Sequence, residues 1–318
     1  MTSHKFTVEE LKIRLDKFLA NQLIDISRSK IQRDIEAGLV KVDGEVETLP
    51  HRAIRNGSHI TYAPSAEPEA PGPVNIPLKT LYNNHGLLII DKPAGMAVHP
   101  GAGFKGDSLA QALLFHFKDI HLVGEEGRSG IVHRLDKETS GVILVALTQE
   151  MYEHLKDAFL ERKVKKEYIA LVQGKIPQKH GFFEQDLGKS KKDFRRYTTK
   201  EKDMVMPKQA LTEYKVLEYL TVETDDTLDE YTLVVVKLHT GRTHQIRVHF
   251  SSAGFPLVGD KLYGGKNAGK LGLDRQFLHA KKIEVQLPDE SWIEAESDFP
   301  DDLKAILNNL NSQKVNQL

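Results

Sequence analysis

Between positions 63 and 77 the chain carries five prolines, with Ala, Gly and Glu among them and no apolar period. Proline cannot donate to a helix or to a central strand, so no regular element passes through this stretch. Residues 65–77 read as an extended, fairly stiff linker. It divides the 318 residues into a small amino-terminal domain, 1–64, and a large one, 78–318.

In the small domain Ile13, Leu15, Phe18, Leu19 and Leu23 make a helical apolar stripe, and Ser27 can N-cap a second helix bearing Ile31 and Ile35 that Gly38 would end. Residues 39–42, Asp43-Gly44 and 45–46 read as a tight hairpin, and Asn56-Gly57 as a turn into a strand holding Ile60 and Tyr62. In the large domain strand-like runs at 87–91, 131–135, 141–147, 166–172, 231–238 and 279–287 mostly follow one another without crossover helices. Helices are expected at 108–117, 150–160, 243–253 (N-capped by Thr243 and stopped by Gly254) and 301–310. The pattern predicts an α+β protein: a helix-helix-hairpin unit, then a large mixed, mostly antiparallel sheet.

The apolar runs at 87–90 and 142–147 fall far short of a membrane span, and the polar start lacks a signal-peptide pattern, so a cytoplasmic protein without membrane contact is expected. No cysteine is present, which excludes disulfides, a thiol nucleophile and cysteine-ligated zinc. A net charge of -1 argues against a uniformly basic nucleic-acid binder. The charges are nevertheless segregated. Residues 160–200 hold twelve Lys or Arg against five Asp or Glu, whereas 223–230 hold five acids and no base, so one face can still take a polyanion.

The chemistry-bearing stretch is Gly130-Ile131-Val132-His133-Arg134-Leu135-Asp136, followed by Lys137-Glu138-Thr139-Ser140-Gly141 and a second apolar run. One carboxylate flanked by Arg134 and His133 stands where buried strands end, and Arg134 and Asp136 would share a face on an extended chain. Two fragments follow in order: Lys166-Glu167-Tyr168-Ile169-Ala170-Leu171-Val172-Gln173-Gly174 and Gly241-Arg242-Thr243-His244-Gln245-Ile246-Arg247-Val248-His249. Arg247 lies beside Ile246 and Phe250, and a half-buried arginine needs an anion. His244 and His249 are five apart, which does not stack them on one helical face, so no metal site is expected.

Together these fragments, with Phe277-Leu278-His279-Ala280, the stretch 258–265 and the loop 91–100, resemble the RluA family of RNA pseudouridine synthases, and within it the RluD-like large-ribosomal-subunit members. The small domain, with Arg14-Leu15-Asp16-Lys17 and Ser27-Arg28-Ser29-Lys30, resembles the S4 RNA-binding domain. The resemblance implies an isomerase that breaks the N1–C1′ bond of a uridine, turns the base and rejoins it through C5, with no cofactor and no metal. It makes Asp136 the essential carboxylate, as nucleophile or as base on the sugar, Arg247 its partner and Tyr168 the aromatic group against the base. Arg134 would push into the RNA where the uridine has left the stack, Leu278 would close an apolar wall, and His133 and Arg242 would touch substrate. The loop 91–100 offers no residue type expected to be catalytic.

Arg14, Arg28, Lys30 and Arg33 are the expected phosphate contacts of the small domain. The basic loop 188–202, with Phe194 and Tyr197 among seven bases and two acids, adds Lys192, Arg195 and Arg196. The expected partner is large-subunit ribosomal RNA, free or within an assembling subunit, and no apolar heptad demands a second protein chain, so a monomer is expected. Alternatives of other kinds are a catalytically silent RNA-binding or ribosome-assembly protein, a transfer-RNA-directed pseudouridine synthase, and a metal hydrolase. Chelation would inactivate only the last.

Overall fold

The computed structural model describes all residues except 1–2, 27, 66–71, 101–105, 126, 224–227 and 314–318. The chain forms two units, Met1–Ala70 and Pro71–Leu318.

The first unit runs β1 (His4–Thr7), β2 (Lys12–Arg14), α1 (Leu15–Gln22), α2 (Arg28–Glu36), β3 (Val40–Val42), β4 (Glu45–Glu47), β5 (Ala53–Arg55) and β6 (His59–Tyr62). An antiparallel sheet in the order β1-β6-β3-β4 is joined by a separate β2-β5 pair. Phe18, Leu19, Ile31 and Ile35 bury the inner faces of both helices against Val40, Ile60 and Tyr62. Asp43 and Gly44 both have positive φ, 54° and 89°, which matches the twist of a two-residue hairpin. Gly38 ends α2 at φ 76°. Ile13 pairs with Ile54 in β2 and β5, so the apolar stripe begins in a strand and the helix starts only at Leu15. The expected cap Ser27 lies outside the described residues.

One buried carboxylate ties the two helices. Asp16 is fully buried and accepts from Arg14 Nε at 3.0 Å, Arg28 Nη2 at 2.7 Å and Gln32 Nε2 at 2.6 Å. Burial alone would raise its pKa, but these donors outweigh burial and hold it at about 2.

The second unit opens with β7 (Lys79–Asn84), β8 (Leu87–Lys92), α3 (Leu109–His116), β9 (Ser140–Ala146), α4 (Gln149–Leu160) and β10 (Lys165–Gln173). It continues with β11 (His180–Ser190), β12 (Tyr197–Thr198), β13 (Met204–Glu223), β14 (Leu228–Leu238), α5 (Gln245–Ser252), β15 (Leu278–Gln286), β16 (Trp292–Glu296), α6 (Asp301–Asn308) and β17 (Asn311–Gln313). Its eleven-stranded sheet has the order β12-β11-β13-β14-β10-β15-β9-β8-β7, with β16 on β15 and β17 on β13. Among the described strand pairs of this sheet only β9–β15 is parallel; outside the strands Ala97 and Ser108 form one isolated parallel bridge. Along β10, Tyr168, Ala170 and Val172 enter the main core, while Ile169 and Leu171 enter a second core beneath α6 with Leu303 and Ile306.

Three expectations need correction. Residues 131–135 form no strand: Ile131 alone bridges Val145, and the chain then leaves the sheet toward a cavity. Thr243 does not cap α5. His244, in the left-handed conformation at φ 57°, precedes the helix, and Gln245 Oε1 instead accepts from Arg242 N and Thr240 Oγ1. Finally, the later part of the stretch read as linker packs onto the large unit: Val74 N–H bonds Gln111 O, and Ile76 packs against the main core.

Folded-state Asp16 titrates below its ordinary 3.8, so its contribution to stability is present above about pH 4 and lost as the pH falls toward 2. Asp16→Asn is expected to cost about 1–2 kcal/mol at neutral pH, discounted for the half-exposed arginines. In wild type, amide protection of α1 and α2, followed by hydrogen exchange, should fall between pH 4 and 2. In the variant that dependence should be smaller, the remainder coming from Asp34 on α2 and from Glu47, whose carboxyls are also held below their ordinary values.

Candidate active site

The site stands where β9 and β15 begin. Gly141 makes their close approach possible: its φ is 114°, and a Cβ there would lie 2.2 Å from the Ala280 carbonyl oxygen. Ser140 Oγ and His279 Nδ1, 3.0 Å apart, join the strands again beside it. The turn carrying Asp136 precedes β9 and is pinned from below. Fully buried Lys92 donates to Pro93 O, Met96 O and Lys137 O at 2.8, 2.9 and 3.2 Å. Burial pulls this ammonium down to about 7, while three carbonyls that need three N–H donors at once oppose the shift.

His133 fixes the same loop from the other side. Its Nε2 accepts the Leu144 N–H at 2.8 Å and its ring stacks on Phe159 at 4.7 Å, so Nδ1 carries the proton. Burial, then the charge of Lys166, depresses it to about 3, which keeps the imidazole neutral. This geometry makes His133 a positioning residue that also lines the cavity, rather than a substrate contact alone.

Arg247 joins two carboxylates. Nη1 donates to Asp136 Oδ2 at 3.0 Å, while Nε and Nη2 grip Asp260 Oδ2 and Oδ1 at 2.7 and 2.9 Å. Burial would lower the guanidinium pKa, but Asp260 and then Asp136 raise it above its usual range. Its plane lies 5.1 Å from the Tyr263 ring centre. Asp260 is fully buried and also accepts the N–H groups of Leu262 and Tyr263. Sequence reasoning gave Arg247 one anion and missed Asp260. A guanidinium has two edges, and the second needs an acid as much as the first.

Tyr168 is buried against the cavity, and burial followed by the charge of Asp136 pushes its phenol up, so it stays protonated. Leu278, also buried, forms part of the wall. His244 reaches within 3.9 Å of Asp136 and bonds Tyr263 Oη through Nδ1. The cavity encloses about 550 Å³, enough for a nucleoside. Among the described residues its lining holds six bases, Arg128, Arg134, Arg162, Lys166, Arg242 and Arg247, against one acid, Asp136. No group of acids and histidines fit to hold a metal occurs among the described residues.

Arg134 is exposed at this cavity and, among the described residues, does not pair with Asp136. Arg242 donates Nε to Gln209 O at its edge. The remaining expected RNA contacts of the large unit lie on the loop 188–202. Arg195 pairs with Asp193, Arg196 donates to Leu262 O and lies over Tyr263, and Lys192 is exposed on the same loop. In the first unit Arg14 and Arg28 remain half-exposed although bound to Asp16, and Arg33 is exposed on α2. Lys30 is the exception: it is buried, with Nζ on Asp34, Ser65 O and Ser65 Oγ, which removes it from any surface that would meet phosphate.

Removing Asp260 leaves a buried guanidinium half compensated. Asp260→Ala is expected to lose about 3–5 kcal/mol of stability in urea titrations. Asp260→Asn, which keeps the shape, should lose less stability but still lower turnover, because the charge orienting Arg247 toward Asp136 is gone.

Comparison with known proteins agrees with this geometry. The family of RNA pseudouridylate synthases matches residues 86–252, and the S4 domain matches residues 13–60. An uncharacterized RNA pseudouridine synthase of Aquifex aeolicus is 41% identical over 265 residues, covering 83% of this chain and 81% of its own. Ribosomal large subunit pseudouridine synthase D of Nitrosomonas europaea is 39% identical, covering 93% and 83%. Among solved structures, human RNA pseudouridylate synthase domain containing 1 superimposes with a TM-score of 0.62 at 27% identity, covering 78% of this chain and 93% of that one. The chain belongs to the RNA pseudouridine synthase family, as an RluA-family, RluD-like isomerase with an S4 domain ahead of its catalytic fold.

Proposed function

We propose that this enzyme isomerises uridine to pseudouridine in large-subunit ribosomal RNA, as a monomer in the cytoplasm, with Asp136 acting at the sugar. The observation that carries the reading is the isolation of Asp136: one carboxylate in a cavity lined by six bases, with Oδ2 held 3.0 Å from Arg247. Relatives named for the large ribosomal subunit, matched over nearly the whole chain, support the RNA target. No helix among the described residues is long and apolar enough to cross a membrane.

The chemistry needs a carboxylate at C1′, an aromatic group against the base and walls that retain the freed uracil. Arg247 and Asp260 orient Asp136. Tyr168 offers its ring to the uracil and a protonated hydroxyl to the sugar or base. Leu278 keeps the uracil from leaving while the N1–C1′ bond is open. When C5 bonds to C1′, the C5 proton departs and N1 ends protonated, so the atoms balance without a cofactor. Arg134, at the mouth with no acid on it among the described residues, is placed to enter the gap left by the extruded nucleotide, which would otherwise cost a few kcal/mol of unstacking.

Asp136→Asn changes charge with little change of shape. It should abolish turnover, by at least about a thousandfold, while RNA affinity stays within about twofold. Carbodiimide-adduct primer extension on unmodified large-subunit RNA reads both the site and the loss. Stops with wild type alone are expected. Stops appearing only on transfer RNA would move the substrate, and turnover of the variant near wild type would remove Asp136 from its role.

A further inference from the structure

Four bases lie within five positions at the end of α4: Arg162, Lys163, Lys165 and Lys166. They divide by direction. Lys163 pairs with Glu161, and Lys165 pairs with Glu284 at 2.9 Å and lies over Trp292; both lysines are largely exposed. Arg162 and Lys166 line the catalytic cavity instead, and among the described residues neither has a carboxylate within ion-pair reach. The chain turns at Arg162 through the left-handed conformation, φ 60°, unusual for a residue with a Cβ. That turn leads from α4 into β10, and positions 162 and 166 both line the cavity.

Lys166 is half-buried, and burial lowers its ammonium to about 8. Its Nζ stands 5.3 Å from the ring centre of Phe159, the ring that also stacks on His133. The aromatic face holds the ammonium in place but supplies no counter-charge. Three of the other four cavity bases are engaged, Arg247 by two carboxylates, Arg242 by the Gln209 carbonyl, and Arg128 within 3.8 Å of Glu125, while Arg134, exposed at the mouth, is the one assigned to the gap left by the extruded nucleotide. Lys166, partly desolvated, and Arg162, exposed at the same cavity, have no carboxylate within ion-pair reach among the described residues, so an anion brought by the ligand can take both. A uracil carbonyl is neutral and would leave both uncompensated. A uridine lodged at Asp136, however, brings a phosphodiester on either side of its sugar.

We propose that Arg162 and Lys166, with Phe159 as the fixed surface beneath the ammonium, form a subsite for a phosphodiester of the RNA chain adjoining the uridine at Asp136. The proposal rests on the reading of the cavity as the uridine site. It makes these two residues determinants of how the strand is held and not of bond rearrangement.

The test measures equilibrium binding of the full-length protein to unmodified large-subunit RNA across a KCl series, and single-turnover isomerisation at saturating RNA. Lys166→Met and Arg162→Met should each weaken binding about five- to tenfold and make the log–log salt slope shallower by about 0.7, the loss of one single-strand phosphate contact. The rate at saturation should stay within about twofold, and Lys166→Arg should restore most of the affinity. Lys163→Met and Lys165→Met should alter neither binding nor slope. Arg162 carries the test if the Lys166 variants fold poorly. An unchanged salt slope with a reduced saturating rate would overturn the subsite and give Lys166 a part in the chemistry. If wild type binds with a steep slope but isomerises no uridine, the functional reading falls while the slopes still decide the phosphate contact.

Discussion

The two antiparallel parts of the large sheet meet along a single parallel seam, and that seam is two residue pairs long: His279 with Ser140 and Ala280 with Gly141. Parallel neighbours enter from the same end, so the loops leading into β9 and β15 emerge together. Asp136 comes from the first loop and Leu278 starts the second strand. The backbones approach so closely that only a residue without a side chain fits at 141. The groups that shape the cavity are arranged around that approach: the Lys92 clamp beneath the turn, the His133 tie to β9, and the helix that brings Arg247 to Asp136.

Charge is allocated rather than merely carried. The chain has 44 basic and 45 acidic side chains, yet a single acid faces the cavity against six bases. Outside it, acids are spent on neighbouring bases, as in Lys165–Glu284, Lys237–Glu167 and Lys282–Glu294. Such exposed pairs contribute little to stability, about 0–1 kcal/mol each. Their effect is to neutralise the outer surface, leaving the positive potential focused in the cleft. Arg247 shows the same economy in miniature: Asp260 takes its bidentate edge and leaves one N–H for Asp136.

Strands with a continuous apolar run and helices with an apolar face were legible in the sequence; half-exposed strands were not. The strands β8, β9, β10, β14 and β15 and the helices α3, α4 and α6 appear where the apolar pattern placed them. Much of β11 is exposed, and β13 buries only alternate positions such as Ala210, Thr212, Tyr214 and Val216, so neither carries a continuous apolar run. Residues 131–135 erred in the opposite direction, because their apolar members line a cavity wall and not a sheet. Asp136, Tyr168, Arg134, Arg247 and Leu278 were named from motif order, and the structure brings all five to one cavity. Asp260 and Lys92 escaped because their work is done on other residues, and a sequence does not show which carbonyl or guanidinium a buried charge will meet.

The Lys92 clamp has a consequence for how the turn bearing Asp136 can be observed. Burial pulls this ammonium down to about 7, but its three N–H bonds to carbonyls hold the proton and seal the side chain from reagents while the clamp is closed. An acylating probe reaches it only when the turn lets go, and once it reacts the clamp cannot re-form. The rate at which Lys92 is labelled is therefore a clock for the opening of the turn that carries Asp136, written into a residue outside the described lining of the cavity.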